Sequence, residues 1–420
     1  MLIVAKSELQ NAKLAMAQVA ACELLIGIET EDESVIDYET MVALGDPSEP
    51  VLDTPLAYDE PSMLLYTSGT TGFPKGAIYT HGSTLLGMFV HVHAIGSRGT
   101  HRVMLPSPLY SAAGTAGIYC AAYVGSTSVI VNFDAERALE TLAREKITFT
   151  NLVPTTIQRL LARPDFEQYD LSALDTILYG GSPIPVAVLR EAKRKLPKCR
   201  FRQTFASTET GTAGTVLEPA DHELALTDPA YEHRLLSCGK PQVAVDVAIF
   251  DDKGLSVPVG TVGEIGVRTE ANIVGFWGNP QATAEAIRDG WVLTGDLARI
   301  DEDGYVYLVD RKKDLIVTGA FNVYPSEVER VLQSHQSVYE VAVIGVPSVE
   351  WGESIKAVVV LKPGRTISAQ DLITWCDGRI AGYKKPKTID FVDTLPRNPT
   401  GKVLHRQLRE PYWQQQDRKI

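Results

Sequence analysis

Apolar and polar positions along the first two-thirds of this chain alternate between two rhythms. Short runs at Ser128–Asn132, Ile147–Leu152 and Asp175–Tyr179 read as strands. Between and after them, Ala135–Lys146, Thr155–Leu161 and Pro185–Lys195 carry helical spacing, with Leu139 and Leu142 on one face. This alternation predicts a mostly parallel sheet with helices on both faces. From about Val243 to Arg268 the rhythm shortens into strands broken by Gly and Pro, the pattern of a small antiparallel barrel or sheet. A charged knot, Asp310-Arg311-Lys312-Lys313-Asp314, marks the next change. Strands at Val341–Val346, Lys356–Leu361 and Thr388–Val392 and a helix at Ala369–Ala381 then predict a compact α+β domain. Ser368 stands as N-cap of that helix, with Asp371 three residues on. Lys6–Leu25 has helical spacing, and the polar end after Arg409 is expected to be loose.

The fold class is therefore α/β: a large domain of mostly parallel sheets flanked by helices, a small β-barrel-like subdomain, and a small α+β C-terminal domain. Boundaries are expected at 1–311, 312–411 and a tail at 412–420. The uncharged stretch Ser111–Phe133 is interrupted by Gly114, Gly117, Gly125 and Ser126. It reads as a small-residue helix followed by a buried strand, not as a membrane span.

Composition adds limits. A chain of 420 residues, 45% hydrophobic and 22% charged, should bury an ordinary core over two or three domains. The net charge of −12 offers no basic face for nucleic acid, although a local cluster of donors can still bind an anion. Five scattered cysteines without a C-x-x-C pair indicate neither zinc nor disulfides and suit a reduced, cytoplasmic setting. His91 and His93, two apart, point to different sides of a helix and do not suggest a metal site. The N-terminus carries Lys6 and Glu8 and lacks the apolar core of a signal peptide.

The richest chemistry lies in Tyr66-Thr67-Ser68-Gly69-Thr70-Thr71-Gly72-Phe73-Pro74-Lys75-Gly76-Ala77, after the apolar run Met63-Leu64-Leu65. Four hydroxyls, backbone N–H groups freed by glycine and one lysine in a short loop suit a polyphosphate. Pro74 and Gly76 separate it from the Walker pattern. A surface turn of small polar residues is the alternative, but a turn needs neither the hydroxyls nor the lysine.

Further clusters follow. They are Tyr179-Gly180-Gly181-Ser182-Pro183, Gln203 to Gly211, Gly263-Glu264-Ile265, Trp291 to Leu297, the charged knot, and Pro396-Arg397-Asn398-Pro399-Thr400-Gly401-Lys402. In this order, from about residue 60 to 410, they resemble the adenylate-forming superfamily of acyl- and aryl-CoA synthetases, adenylation domains and luciferases. The end of the chain looks most like bacterial fatty-acyl-CoA synthetases.

The resemblance implies an ATP- and Mg²⁺-dependent ligase that joins a carboxylic acid to coenzyme A through an acyl-adenylate. It implies that Thr67, Ser68, Gly69, Thr70, Thr71, Gly72 and Lys75 hold the outgoing phosphates. Thr208 would bond the α-phosphate and Glu209 would bind the metal. Phe205 would stack on adenine, and Gly180, Gly181, Ser182 and Pro183 would approach the base. Asp296 and Arg311 would hold the ribose. Lys402 would contact the carboxylate and α-phosphate during adenylation, with Lys313 as hinge of a mobile lid. Gly319, Ala320 and Phe321 would line the coenzyme A channel, and Tyr110, Ser111 and Gly114 the acyl pocket. On the residues alone, Ser207-Thr208-Glu209 also reads as a helix N-cap with an acidic first turn. The expected partners are a hydrophobic, fatty-type acid, ATP and coenzyme A, with no nucleic acid; a stand-alone adenylation enzyme that loads a carrier-protein pantetheine and a truncated nucleotide-binding remnant are the alternative readings. Peripheral membrane contact and oligomerisation stay open.

Three departures stand out. The glycine-rich loop begins far earlier than in full-length relatives, so a fragment, a mis-set start or a truncation is expected, with an uncovered sheet edge prone to self-association. Ser111 follows Tyr110 where relatives place a histidine after an aromatic. The small residues Ala112, Ala113, Gly114, Ala116 and Gly117 then either leave room for a chain or serve helix packing. Gly319-Ala320-Phe321-Asn322 replaces a Gly-Gly-Glu-Asn, and Ala206 replaces a glycine.

Overall fold

The computed structural model describes residues 1–19, 21–67, 74–319, 321–398 and 402–414. It parts into two compact units, Met1–Leu56 and Ala57–Ile420. In the first, strands Leu2–Ala5, Leu25–Ile28 and Ile36–Asp37 pair in parallel. The expected helix over Lys6–Leu25 is shorter: a 3₁₀ turn at Lys6–Glu8 leads into a helix that ends at Met16. Leu25 is needed as a strand residue opposite Leu2, a pairing that helical spacing cannot reveal. Asp37 caps the helix Tyr38–Leu44 by accepting the N–H of Thr40 at 2.8 Å.

The second unit is built on a seven-stranded sheet. Its order is Lys240–Pro241, Gly214–Leu217, Arg200–Ala206, Thr176–Gly180, Phe149–Leu152, Arg102–Leu105 and Thr127–Ile130. The last five run parallel. On one face Leu139, Leu160 and Leu189, from three helices, pack onto Ile177 and Tyr179. On the other, Ile95 and Ile118 pack with Val103, Leu105 and Leu178. Both faces are thus covered, as a parallel sheet requires. The strand after helix Ala112–Val124 is not buried as expected. Thr127, Ser128 and Ile130 are exposed because this strand is the sheet's edge, with a neighbour on one side only.

The β-rich segment folds as a five-stranded antiparallel sheet of Asp246–Phe250, Gly263–Arg268, Trp291–Ile300, Ile287–Arg288 and Val306–Arg311. A separate hairpin, Pro61–Thr67 with Lys75–Thr80, is joined by Gly275–Phe276.

Beyond Arg311 the chain forms a mixed sheet around the long hairpin Val338–Ser348 and Gly352–Leu361. Helices Pro325–Gln333 and Ala369–Trp375 bury Val328, Leu332 and Leu372 against it. Ser368 caps the second helix as expected, accepting the N–H of Asp371 at 3.1 Å. That helix stops at Trp375, short of Ala381, and Gly378 takes a left-handed φ of 70° beyond its end.

The end of the chain also departs from expectation. Helix His405–Trp413 replaces a loose tail up to its last residue. Trp413 is buried and its indole donates to the Gly345 carbonyl at 3.0 Å, while the Tyr412 hydroxyl meets Asp390 at 2.7 Å. Residues 415–420 lie outside the described residues. Among the described residues no helix is long and apolar enough to cross a membrane.

Candidate active site

The ends of the parallel strands set the site. Gly180 ends one strand beside Thr204 of the next, and a Cβ on Gly180 would stand 2.5 Å from the Thr204 carbonyl oxygen. Only glycine lets the two strands meet there. Gly181 follows with φ at 79°, and Gly181, Ser182 and Pro183 are exposed at this edge. Phe205 lies near the end of the neighbouring strand, half-buried against Ile249, Ile265 and Val306. Open α/β sheets bind ligands at such carboxyl ends.

After Ala206 the chain turns tightly. The Ser207 N–H donates to the Thr210 hydroxyl at 3.1 Å and the Gly211 N–H to the Thr208 carbonyl at 3.3 Å. Thr212 has φ at 66°. The helix that Ser207 could have capped does not form; a side-chain-closed turn takes its place. Ile273 fixes that turn by donating to the Glu209 carbonyl at 3.1 Å. From the hairpin, the buried Tyr79 hydroxyl donates to the Thr208 carbonyl. Burial, joined by the charge of Glu209, pushes the Tyr79 phenol up. Tyr79 thereby ties the glycine-rich hairpin to the Thr208-Glu209 turn. Nothing in its strand pattern signalled this role.

In the same hairpin Thr67 pairs opposite Lys75, whose ammonium stands 5.5 Å from the Phe276 ring centroid. The loop residues Ser68, Gly69, Thr70, Thr71 and Gly72 lie outside the described residues, as do Ala320 and Pro399 to Gly401.

The antiparallel sheet supplies a carboxylate and a guanidinium. Asp296 and Arg311 are register partners, and Arg311 Nε lies 2.9 Å from Asp296 Oδ1. Asp296 is buried, which raises its carboxyl above the ordinary range against the pull of Arg311 and Lys402. Lys402 arrives from the C-terminal domain. Asn398 clasps its loop, accepting the Lys402 N–H at 2.9 Å and donating to its carbonyl at 3.0 Å. The Lys402 stem lies against Gly181: a Cβ there would be 3.8 Å from Cε. Desolvation, then repulsion from Arg311, lowers the Lys402 ammonium, while Asp296 and Glu209 pull it back. Lys313, exposed at the cleft's rim like Lys402, is lowered chiefly by desolvation from the protein around it, with Arg311 adding to the effect and Asp314 and Asp296 opposing it. Arg311, Lys313 and Lys402 therefore crowd one cleft with Asp296 and Glu209.

The residues assigned to the acyl pocket stand apart from these contacts. The Ser111 hydroxyl accepts the Gly114 N–H at 3.2 Å and donates to the Pro108 carbonyl at 2.6 Å, so it is engaged in capping helix Ala112–Val124. A Cβ on Gly114 would lie 2.2 Å from the Pro108 carbonyl oxygen, and one on Gly117 would lie 2.6 Å from Leu105. Packing accounts for both glycines without a substrate. Tyr110 is exposed. Gly319 has φ at 59° and leans on Trp351, and Phe321 stacks on Tyr383 at 4.5 Å; both pairs lie on the C-terminal domain.

The groups in the cleft fit a nucleotide and a hard cation. Excess positive charge favours phosphate, the buried Ser207 hydroxyl has no hydrogen-bond partner among the described residues, and Glu209 offers the oxygen that Mg²⁺ prefers. A Mg²⁺ here would complete its coordination with phosphate and water oxygens.

Such a cleft, between a parallel sheet and a small C-terminal domain, suits a nucleotide-dependent enzyme. The chain belongs to the AMP-binding enzyme family, whose model matches residues 1–277, and the AMP-binding enzyme C-terminal domain matches residues 327–402. It is an AMP-forming enzyme of the acyl- and aryl-CoA ligase class, whose members act on a carboxylic acid with ATP, Mg²⁺ and coenzyme A. It is 36% identical over 406 residues to the fatty acid–[acyl-carrier-protein] ligase ScoC of Streptomyces coeruleorubidus, covering 91% of this chain and 75% of that protein. With a feruloyl-CoA synthase of an Amycolatopsis species it shares 37% identity, over 86% of this chain and 72% of the relative. Among solved structures, the amide bond synthetase McbA of Marinactinospora thermotolerans superposes with a TM-score of 0.82 at 28% identity, over 98% of this chain and 80% of McbA.

Proposed function

We propose that this protein is an acid–thiol ligase that activates a hydrophobic, fatty-type carboxylic acid as its acyl-adenylate and passes the acyl group to coenzyme A. The observation that carries the reading is the crowding of Arg311, Lys313 and Lys402 around Asp296 and Glu209. Two anions, a carboxylate and a triphosphate, must meet there, and like-charged side chains held close in advance lower that barrier without reorganisation. Asp296, with Arg311 beside it, would accept ribose hydroxyls. Phe205 and the Gly180–Pro183 bend would hold the base between a ring and a backbone edge, and Thr208 would bond the α-phosphate. Glu209 would hold Mg²⁺, which supplies charge neutralisation of the phosphates. Thr67 and Lys75, with the loop they flank, would take the leaving pyrophosphate. Lys402, a compact cation on a separate domain, would bridge carboxylate and α-phosphate.

In the second step the C-terminal domain would turn about Lys313, withdraw Lys402 and bring the Gly319–Phe321 loop to the thiol channel. Phe321 would make that channel bulkier and less charged than a glutamate there. A cytoplasmic location agrees with the four buried, unpaired cysteines of the five, Cys120, Cys199, Cys238 and Cys376.

A second acceptor is kept open by one observation: ScoC, at 36% identity, is named for loading an acyl carrier protein. The deciding experiment offers a panel of fatty and aromatic acids with ATP and Mg²⁺, and either coenzyme A or a pantetheinylated carrier. AMP release and thioester formation are both scored. Acid-dependent AMP with acyl-CoA is the expected result. Acyl transfer to the carrier alone moves the protein to the second reading. No AMP with any acid leaves a non-catalytic nucleotide-binding remnant and ends the proposal.

A further inference from the structure

Lys402 can act only if the helix that follows its loop, His405–Trp413, holds that loop at the right place over the strand ends. Two contacts of helix His405–Trp413, those of Tyr412 and Trp413, tie it to the C-terminal domain's own sheet. They leave its place relative to the large sheet unset. Arg409 lies between them in function. It is buried, its Nη1 donates to the Lys313 carbonyl at 3.2 Å, and the same nitrogen stands 3.9 Å from Asp314 Oδ1. Its Nε has no hydrogen-bond partner among the described residues.

The segment it holds is itself fixed at each step. Asp310 accepts the N–H of Arg311 at 2.7 Å and of Ser326 at 2.8 Å. Arg311 meets Asp296, and Lys312 lies 3.0 Å from Glu264. A continuous line of contacts thus runs from Asp296 through Arg311 and the Lys313 carbonyl to Arg409, and along one helix back to the Lys402 loop. A guanidinium buried with an incomplete set of partners is costly for stability alone. The cost makes sense where it fixes a position.

We propose that Arg409 is a positioning residue for adenylate formation: by holding the Lys313 carbonyl it sets where the Lys402 ammonium stands in the cleft. This rests on the reading of Lys402 as the residue that bridges the two anions. His405, one turn earlier on the same helix face, lies 3.8 Å from Glu329 Oε1.

The test compares R409Q, R409K and D314N in the full chain. R409Q should slow acid-dependent ATP–pyrophosphate exchange by roughly ten- to a hundredfold, the cost of a small misplacement at a reacting centre, with less than about a threefold change in the KM for ATP. Thioester formation from supplied acyl-adenylate should stay within about threefold of the parent. R409K should restore part of the lost rate, and R409Q/D314N should be no worse than R409Q alone, since R409Q already breaks the Arg409–Asp314 contact that D314N removes.

Equal slowing of exchange and of thioester formation from supplied adenylate would mean a merely structural role and overturn the proposal, as would unchanged exchange in R409Q. A second readout does not need turnover. Amine acetylation of Lys402, followed by mass spectrometry against Lys387 as internal reference, should change at least severalfold in R409Q and in R409K, which also covers the case that R409Q fails to fold. No change in either variant removes the link between the two residues. If the parent shows no exchange with any acid, the functional reading fails, while the acetylation result still decides whether Arg409 places Lys402.

Discussion

Two polar clusters of this molecule end in opposite states. At the start of helix Ala112–Val124, Ser111 and Thr115 both find partners within a few residues: Ser111 bonds Gly114 and Pro108, and the Thr115 hydroxyl donates to the Leu109 carbonyl at 2.7 Å. Around Asp296 the charges are not used up locally. Arg311 pairs with Asp296, yet Lys313 and Lys402 stand exposed in the same cleft, each with an ammonium pKa lowered chiefly by desolvation from the surrounding protein. Polar groups that serve the fold are satisfied where they stand, because an unmade hydrogen bond in the interior costs stability. Groups held in excess of their local partners, with displaced pKa values, are candidates for meeting a ligand.

The sharpest way to break this contrast is at its charged pole. Lys402→Ala should slow acid-dependent ATP–pyrophosphate exchange by roughly 10²-fold or more, the usual loss for one group that stabilises transition-state charge. Exchange at the parental rate would place the lysine among ordinary surface cations. At the structural pole, Gly114→Ala forces a Cβ toward the Pro108 carbonyl, and should cost about 1–3 kcal/mol in denaturant unfolding while the KM for ATP stays put. A stable variant with a changed substrate profile would instead give that helix end to the acid.

Asp296→Ala should weaken apparent ATP affinity by about tenfold, the range of a lost hydrogen bond to a charged group. Parental affinity would separate this carboxylate from the ribose. Lys402→Arg tests the pH dependence. Because the lysine is lowered from its ordinary range, exchange should fall as pH rises through that depressed pKa and the ammonium becomes neutral. A guanidinium stays charged, so the alkaline limb should move upward even though the rate drops. A limb that does not move belongs to another group. The smallest effect is expected for Ser111→Ala, about 1 kcal/mol of stability from the lost N-cap, read by thermal unfolding. A large shift in the KM for the acid in that variant would return Ser111 to the pocket.

Much of this was legible without coordinates. The strands and helices of the parallel sheet lie within a few residues of where the two rhythms put them, and Ser368 caps its helix as its spacing with Asp371 suggested. The polar clusters that meet in the cleft were each visible as turn-forming runs of small and charged residues. Other features were not. Tyr79 looks like any apolar strand residue until its hydroxyl reaches Thr208, and Trp413 sits in a polar stretch until Gly345 receives its indole.

By itself, then, the order of residues determined the periodicities, the caps and the set of chemical groups this protein can bring to a nucleotide. The tertiary structure alone decided that Leu25 pairs with Leu2 instead of closing a helix, that Thr127–Ile130 lies at an edge, and that Lys402 is left beside Asp296. The physical reason is range. Helical and strand spacing and turn chemistry act over a few residues and can be read along the chain, whereas burial, charge crowding and a contact such as that of the Tyr79 hydroxyl with Thr208 depend on neighbours tens to hundreds of positions away.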